Sequence, residues 1–478
     1  MRITIIGGGP GGYTAAFEAA RRSHAVTLVE NRFLGGTCLN RGCIPTKTLR
    51  SSADALAVAR RLTDYGATGC PDAAPVLEGL RQRKDNVISI LRQGLEKTCG
   101  RLGVRLVRGT GRIRTASSVL VETGEGQEDV AGDAVLIATG SRVLELPGLP
   151  FDHSFICSSD DALKLTRIPK RLLIVGGGVI GCEMACIYRT LGSDVTVIEG
   201  QARLLPMPGV DEDVSALLAR EFRKQKIRLL TGKTLTGVRV AEDAVRGEAV
   251  PSPFVASTGQ SDSGASAAAP LALEGDMVLV TVGRRPNTEG LGLAEAGVDV
   301  DARGWVMVDD HFQTSVAGVY AVGDVLGPAH IMLAHVAAAE ALCVVDTLDG
   351  KPRPMRYDAV PSAIFTSPEI GLVGLDEKEA SDRHDRIVCG MTQMRELGKA
   401  QAMGELAGFF KVVADAQNGA LLGASIVGAH ASDMIAEAGL ALSTGLDVHQ
   451  IAATIHAHPT LAEGFAEAAA AAARQMEA

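Results

Sequence analysis

Aromatic residues are scarce in this chain: they make up 4% of 478 residues, with a single tryptophan. A basic excess is missing too. The formal net charge of -9 excludes the phosphate-neutralising surface of a nucleic-acid binder. No apolar run approaches the ~18 residues that span a bilayer, so no membrane partner is expected. Nor do the first residues have signal-peptide order, because Ile3, Ile5 and Ile6 run straight into glycines. A fully paired extracellular disulfide framework is excluded by an odd number of cysteines, nine. Together these absences lead us to expect a cytoplasmic, globular protein, and its length predicts two to four domains. Cys157, Cys186 and Cys343 stand singly among apolar neighbours and read as small buried hydrophobes.

Glycine, by contrast, is plentiful, and two clusters of it organise the front half. A β-branched run, Ile3 to Ile6, leads into Gly7-Gly8-Gly9-Pro10-Gly11-Gly12. An Ala-rich helical stretch follows to Arg22, then a strand, Ala25 to Val29, ending in Glu30. The plan returns with Leu172 to Val175, Gly176-Gly177-Gly178-Val179-Ile180-Gly181, a helix, and Asp194 to Ile198 ending in Glu199. One constant offset of 169 relates the two copies without a gap. A lone G-x-G-x-x-G is weak, but two in-register copies predict two dinucleotide sites. Gly7 and Gly176 permit the tight turn, Gly9 and Gly178 let backbone approach a pyrophosphate, and Gly12 and Gly181 let helix pack on sheet. Glu30 and Glu199 stand where an acid accepts hydrogen bonds from an adenosine ribose and repels a 2′-phosphate.

Further strands, Ala134 to Ala138, Met277 to Val282 and Val316 to Val322, end in Thr139-Gly140, Gly283-Arg284 and Gly323-Asp324. Glycine at a strand end marks the ligand crevice of a doubly wound sheet. Pro251 to Pro270 turns to Ser, Ala, Gly and Pro and reads as an exposed loop. From about Pro352 strands and helices alternate, predicting a C-terminal α+β domain.

Cys38 and Cys43 are different from the other cysteines. They lie in Gly35-Gly36-Thr37-Cys38-Leu39-Asn40-Arg41-Gly42-Cys43-Ile44-Pro45-Thr46-Lys47, directly after the first glycine unit. A bridge across so small a ring contributes little as a staple, so a redox role is the better reading. Zinc is disfavoured, since no second Cys or His pair stands near at ligand spacing.

The cysteine motif resembles the active-site signature of the pyridine nucleotide-disulfide oxidoreductases. The likeness runs nearly end to end, through both glycine units, Thr314 to Asp324, Met332-Leu333-Ala334-His335, Phe365-Thr366-Ser367-Pro368-Glu369 and His456-Ala457-His458-Pro459-Thr460-Leu461-Ala462-Glu463. It implies an α/β fold of two Rossmann-like dinucleotide-binding domains plus a C-terminal α+β dimerisation domain. Residues 1–152 and 286–354 would bind FAD, 153–285 NAD, and 355–478 would form the interface of a homodimer. Cys43 would lie against the flavin and Cys38 would exchange with substrate. Lys47 would lie along the flavin, paired with Glu183. Gly7, Gly9, Gly12, Glu30, Thr37, Thr139, Gly140, Asp324, Met332, Leu333, Ala334 and His335 would hold FAD. Gly176, Gly178, Gly181, Glu199, Gly283 and Arg284 would hold NAD. His458 would serve as acid/base, oriented by Glu463, while His456 is expected to be structural.

Family members with a C-terminal cysteine pair are excluded, because no cysteine follows Cys389. Glu199-Gly200-Gln201-Ala202, without arginines, suits NAD over NADP. The closing histidine phrase is nearest to the branch that oxidises dihydrolipoyl groups, although Ala462 replaces a usual serine and Lys399 a common arginine. The implied partner is a lipoyl-bearing protein of a 2-oxoacid dehydrogenase or glycine cleavage complex. A glutathione-reductase-like enzyme and a non-turnover NADH-sensing flavoprotein are the alternatives.

Overall fold

The computed structural model describes residues 1–256 and 269–477. Three sheets carry the fold. The first is parallel and runs Val319–Ala321, Ala134–Ile137, Arg2–Ile6, Ala25–Glu30, Arg105–Arg108 from edge to edge. The second, also parallel, runs Arg228–Thr231, Asp194–Glu199, Arg171–Val175, Met277–Val280, Ile156–Ser158. Their central strands, Ile3–Ile6 and Leu172–Val175, are buried at every position, as parallel sheets covered on both faces require. The third sheet is antiparallel, ordered Ser362–Ile364, Glu369–Gly374, Leu421–Gly428, Phe409–Asp415, Ile387–Gln393. Helices Ala431–Thr444 and Glu463–Met476 pack against it, giving the expected α+β domain.

Several boundaries differ from the sequence reading. The strand expected over Val316 to Val322 shrinks to Val319–Ala321, because the Val319 N–H turns back to the Val316 carbonyl. In the C-terminal domain the helix Val448–Ala453 stops short of Ile455, which is 97% exposed. Of the loop expected over Pro251 to Pro270, residues 257–268 lie outside the described residues. Its start is structured: Pro251 closes the strand Ala244–Pro251, and Pro253–Ala256 makes a helical turn.

The chain crosses from the first sheet to the second and back through one ribbon. Ser141–Val143 pairs antiparallel with Arg284–Pro286. A buried lysine ties the second unit to the third sheet. Lys411 Nζ donates to Asp211, Asp213 and Glu377 at 3.1, 3.0 and 2.6 Å, with its side chain 3% exposed. These carboxylates hold its pKa above the usual lysine value against the opposing effect of burial.

Candidate active site

The two glycine turns are built alike. Gly7 and Gly176 have φ of 106° and 107°, in the region that favours glycine. A Cβ at Gly12 would stand 1.8 Å from the Gly7 carbonyl oxygen, and one at Gly181 1.9 Å from that of Gly176. These glycines serve the packing of helix on strand. The middle ones do not: a Cβ at Gly9 would come no nearer than 3.8 Å to anything, and one at Gly178 would meet nothing within 4 Å. Their freedom from neighbours fits a turn shaped for a pyrophosphate at a helix N-terminus. Each strand-end acid grips its own turn. The Gly8 and Arg32 N–H groups donate to Glu30 at 2.8 and 2.7 Å, and the Gly177 and Gln201 N–H groups to Glu199 at 2.5 and 2.7 Å.

The cysteine motif lies directly on the first turn. The Gly35 N–H donates to the Gly8 carbonyl at 2.7 Å, and a Cβ on Gly36 would meet Gly9 Cα at 2.6 Å. Thr37 and Cys38 fall in the short helix Gly36–Arg41, and Cys43 opens the helix Cys43–Arg60. The two thiols act on each other, and their pKa values move in opposite directions. Cys43 is lowered to about 7, first by the bond from Cys38 and then by the Lys47 charge, against burial. Cys38 is raised by the same bond and by burial. Cys43 is therefore the more acidic thiol of the pair.

Four residues beyond Cys43, one turn of the same helix, Lys47 Nζ reaches both Glu183 oxygens at 3.0 Å. Glu183 lies in the helix Val179–Leu191 of the second unit and is 4% exposed, so it is not a solvated surface acid. It also accepts the Phe365 N–H at 2.9 Å, and Lys47 sits 4.2 Å from the Phe365 ring centroid. Two residues here escaped the sequence reading. Phe365 acts through a backbone N–H, which any residue type supplies. Tyr13, raised by burial and by the neighbouring Cys38 and Cys43, lies in the first glycine unit without a motif of its own.

Thr139, Gly140 and Asp324 come together at the carboxyl end of the first sheet. Asp324 accepts from Ser141 Oγ at 2.6 Å, and the buried Thr139 Oγ1 has no partner among the described residues. Such an orphaned hydroxyl fits a ligand group beside it. Met332, Leu333, Ala334 and His335 form the start of the helix Ala334–Leu348, which packs on the helix Pro10–Arg21. His335 Nε2 bonds to the Pro361 carbonyl at 2.8 Å. Arg284, expected among the NAD residues, lies in the ribbon that joins the two sheets. Its Nε donates to Ser141 Oγ at 2.6 Å and stands 3.6 Å from Asp324, on the side of the first sheet. Strand pairing with Ser141–Val143, rather than adjacency to Gly283, decides its position.

His458 Nδ1 lies 2.8 Å from Glu463 Oε1, and the other Glu463 oxygen accepts the Thr460 N–H at 2.8 Å. These bonds hold Glu463 below the ordinary carboxylate range. A carboxylate at Nδ1 selects the tautomer protonated there and leaves Nε2 as the base. The His458 side chain is 78% exposed. Among the described residues, no hydrogen bond or ion pair links His458 or Glu463 to the cysteines. His456, by contrast, is pinned at both nitrogens, by the Thr454 carbonyl and by Glu437.

Two dinucleotide turns, a thiol pair on the first of them and a base with its orienting acid define a flavin- and nicotinamide-linked disulfide oxidoreductase. The chain belongs to the pyridine nucleotide-disulphide oxidoreductase family, whose model matches residues 1–341 and whose dimerisation domain matches residues 360–469. FAD and NAD are its cofactors. Among its relatives, a dihydrolipoyl dehydrogenase of Haloferax volcanii is 39% identical over 98% of this chain and 95% of its own length. A dihydrolipoyl dehydrogenase of Geobacillus stearothermophilus is 35% identical over 97% and 94%. The crystal structure of LpdA from Mycobacterium tuberculosis matches with a TM-score of 0.88 at 26% identity, covering 98% of this chain and 99% of that one. Among the described residues, no helix is long and apolar enough to cross a membrane.

Proposed function

We propose that the chain oxidises dihydrolipoyl groups to the lipoyl disulfide and passes the electrons to NAD+. The observation that carries this reading is the thiol pair on the first dinucleotide turn, with Lys47 held on Glu183 one helical turn beyond Cys43, in a chain 39% identical over 98% of its length to a dihydrolipoyl dehydrogenase. Within the pair, the Cys38 bond and the Lys47 charge lower Cys43, while Cys38 is raised. In thiol–disulfide exchange the sulfur that leaves most readily is the more acidic one. A substrate thiolate attacking the oxidised pair therefore bonds to Cys38 and expels Cys43. The Lys47 charge and the acidity order favour Cys43 as the electron donor.

His458 Nε2 takes the proton from the first substrate thiol, and the Glu463 carboxylate stabilises the imidazolium. The second substrate thiol then displaces Cys38 and releases the cyclic disulfide. Bound FAD would supply two-electron acceptance beside Cys43 and hydride donation to NAD+. Residues 1–152 and 286–354 would hold the flavin, 153–285 the nicotinamide, and 355–478 the dimer interface. Lys47 would lie along the flavin, kept in place by Glu183, and Asp324 with Thr139 would meet its polar chain. Glu199 would hold the NAD ribose. We further propose a cytoplasmic setting and, as partner, the lipoyl-bearing protein of a 2-oxoacid dehydrogenase or glycine cleavage complex.

NADH formation across dihydrolipoamide, glutathione and trypanothione tests the substrate. Turnover confined to dihydrolipoamide is expected, and the absence of turnover with any dithiol would favour a sensing flavoprotein. The same assay tests Glu199, whose carboxylate would face a 2′-phosphate. NAD+ should be preferred over NADP+ by at least ~100-fold in kcat/KM, and equal use would show that Glu199 points elsewhere.

A further inference from the structure

We infer that Phe254 is a coenzyme-binding residue, forming an aromatic face against the adenine of NAD. The inference rests on the assignment of NAD to the second glycine turn. Ligands of open α/β sheets bind beyond the carboxyl ends of the strands. In the second sheet, Asp194–Glu199 and Arg228–Thr231 end side by side, with Glu199 opposite Thr231. The chain beyond them is laced together. The Gly232 N–H donates to the Gln201 carbonyl at 2.8 Å, and the buried Ser252 N–H to the Gly232 carbonyl at 2.9 Å. Ser252 Oγ accepts the Phe254 N–H at 3.2 Å, which fixes the start of the turn Pro253–Ala256 over this crevice.

The Phe254 ring lies on the residue after the ribose acid. A Cβ on Gly200 would stand 3.0 Å from Phe254 Cδ2 and 3.3 Å from Ser252 Oγ, so glycine there gives the ring its seat. The side chain nonetheless remains 57% exposed. Only two phenylalanines among the described residues are exposed, Phe33 and Phe254, and each stands beside one of the two strand-end acids. Phe33 follows Glu30 by three residues, and the position related to it by the repeat is Ala202. The second site thus lacks an aromatic within its own glycine unit, and Phe254 supplies one from the segment that follows Ala244–Pro251. Base stacking on such a ring is worth enough to govern affinity at the adenosine end.

The test uses flavin-loaded native, Phe254→Ala and Phe254→Trp proteins, with ADP-ribose as the binding probe. ADP-ribose should bind the Ala variant about tenfold more weakly and the Trp variant as well as the native protein. The KM for NAD+ should follow the same order, whereas the KM for nicotinamide mononucleotide, which has no adenine, should not move. ADP-ribose affinity in the Ala variant within twofold of native would overturn the inference. Failure of the native protein to bind ADP-ribose would overturn the NAD assignment, and the role of Phe254 with it.

Discussion

Lowering a thiol from the ordinary range near 9 to about 7 has a consequence that can be read in the spectrum. The thiolate is the deprotonated form, so Cys43 is an anion above about pH 7 and loses that charge as pH falls through this value. In the reduced holoenzyme, the long-wavelength thiolate-to-flavin absorbance should therefore fade on acidification with a midpoint about 7. Cys38→Ser should keep the band and Cys43→Ser should lack it. The largest cause of the lowering is the bond from Cys38, so Cys38→Ala, which removes that donor, should move the midpoint upward. A band that survives in Cys43→Ser would reverse the two roles. Residues of this kind were legible in the sequence because their chemistry rests on side-chain type at fixed spacing. The pairs Lys47–Glu183 and His458–Glu463 were expected in this way, and each is joined by a hydrogen bond. The role of Phe365, contributing a backbone N–H, was not, nor was the bond from Arg284 to Ser141, because the neighbour of Arg284 in sequence is not its neighbour in space.

At the scale of elements, the glycine turns and their strands were readable because parallel sheets need near-continuous apolar runs, and G-x-G-x-x-G permits few geometries. The joints between units were less so. Lys411 lies in the strand Phe409–Asp415, where its neighbours suggest nothing but a sheet, yet it gathers three carboxylates from elsewhere in the chain. Asp211 is buried with it, whereas Asp213 and Glu377 are half open to water and contribute less. Lys411→Ala would leave Asp211 buried without its cation, at a cost of about 3 kcal/mol. The expected outcome is a lower thermal midpoint, with the second unit loosening from the third sheet under hydrogen exchange. Lys411→Met fills the same space but leaves the same acid unpaired, so it should rescue little. Full rescue by Met would mean that packing, not charge, holds the joint.

For the whole molecule, the matched dimerisation domain makes the homodimer the working unit. His458 is exposed and unconnected to the thiols among the described residues of its own chain, and exposed apolar side chains such as Ile455 and Leu440 lie in the same domain. An isologous pairing through that domain would bring His458 of one protomer to Cys38 of its partner. Mixing inactive Cys38→Ser with inactive His458→Ala should then restore function at roughly a quarter of all sites, since about half the dimers are mixed and each carries one complete site. Zero recovery after verified subunit exchange would mean that each chain completes its own site.

The ribbon formed by Ser141–Val143 and Arg284–Pro286 bears on how such a molecule can evolve. Every strand of the second sheet lies between its two halves in sequence, so the outgoing and returning chains run side by side through a single doorway. A unit attached in this way is a cassette. It can be lengthened, shortened or exchanged for another coenzyme specificity while the first sheet keeps its register, provided that equivalents of Glu183 and Asp211 still meet Lys47 and Lys411 on the far side.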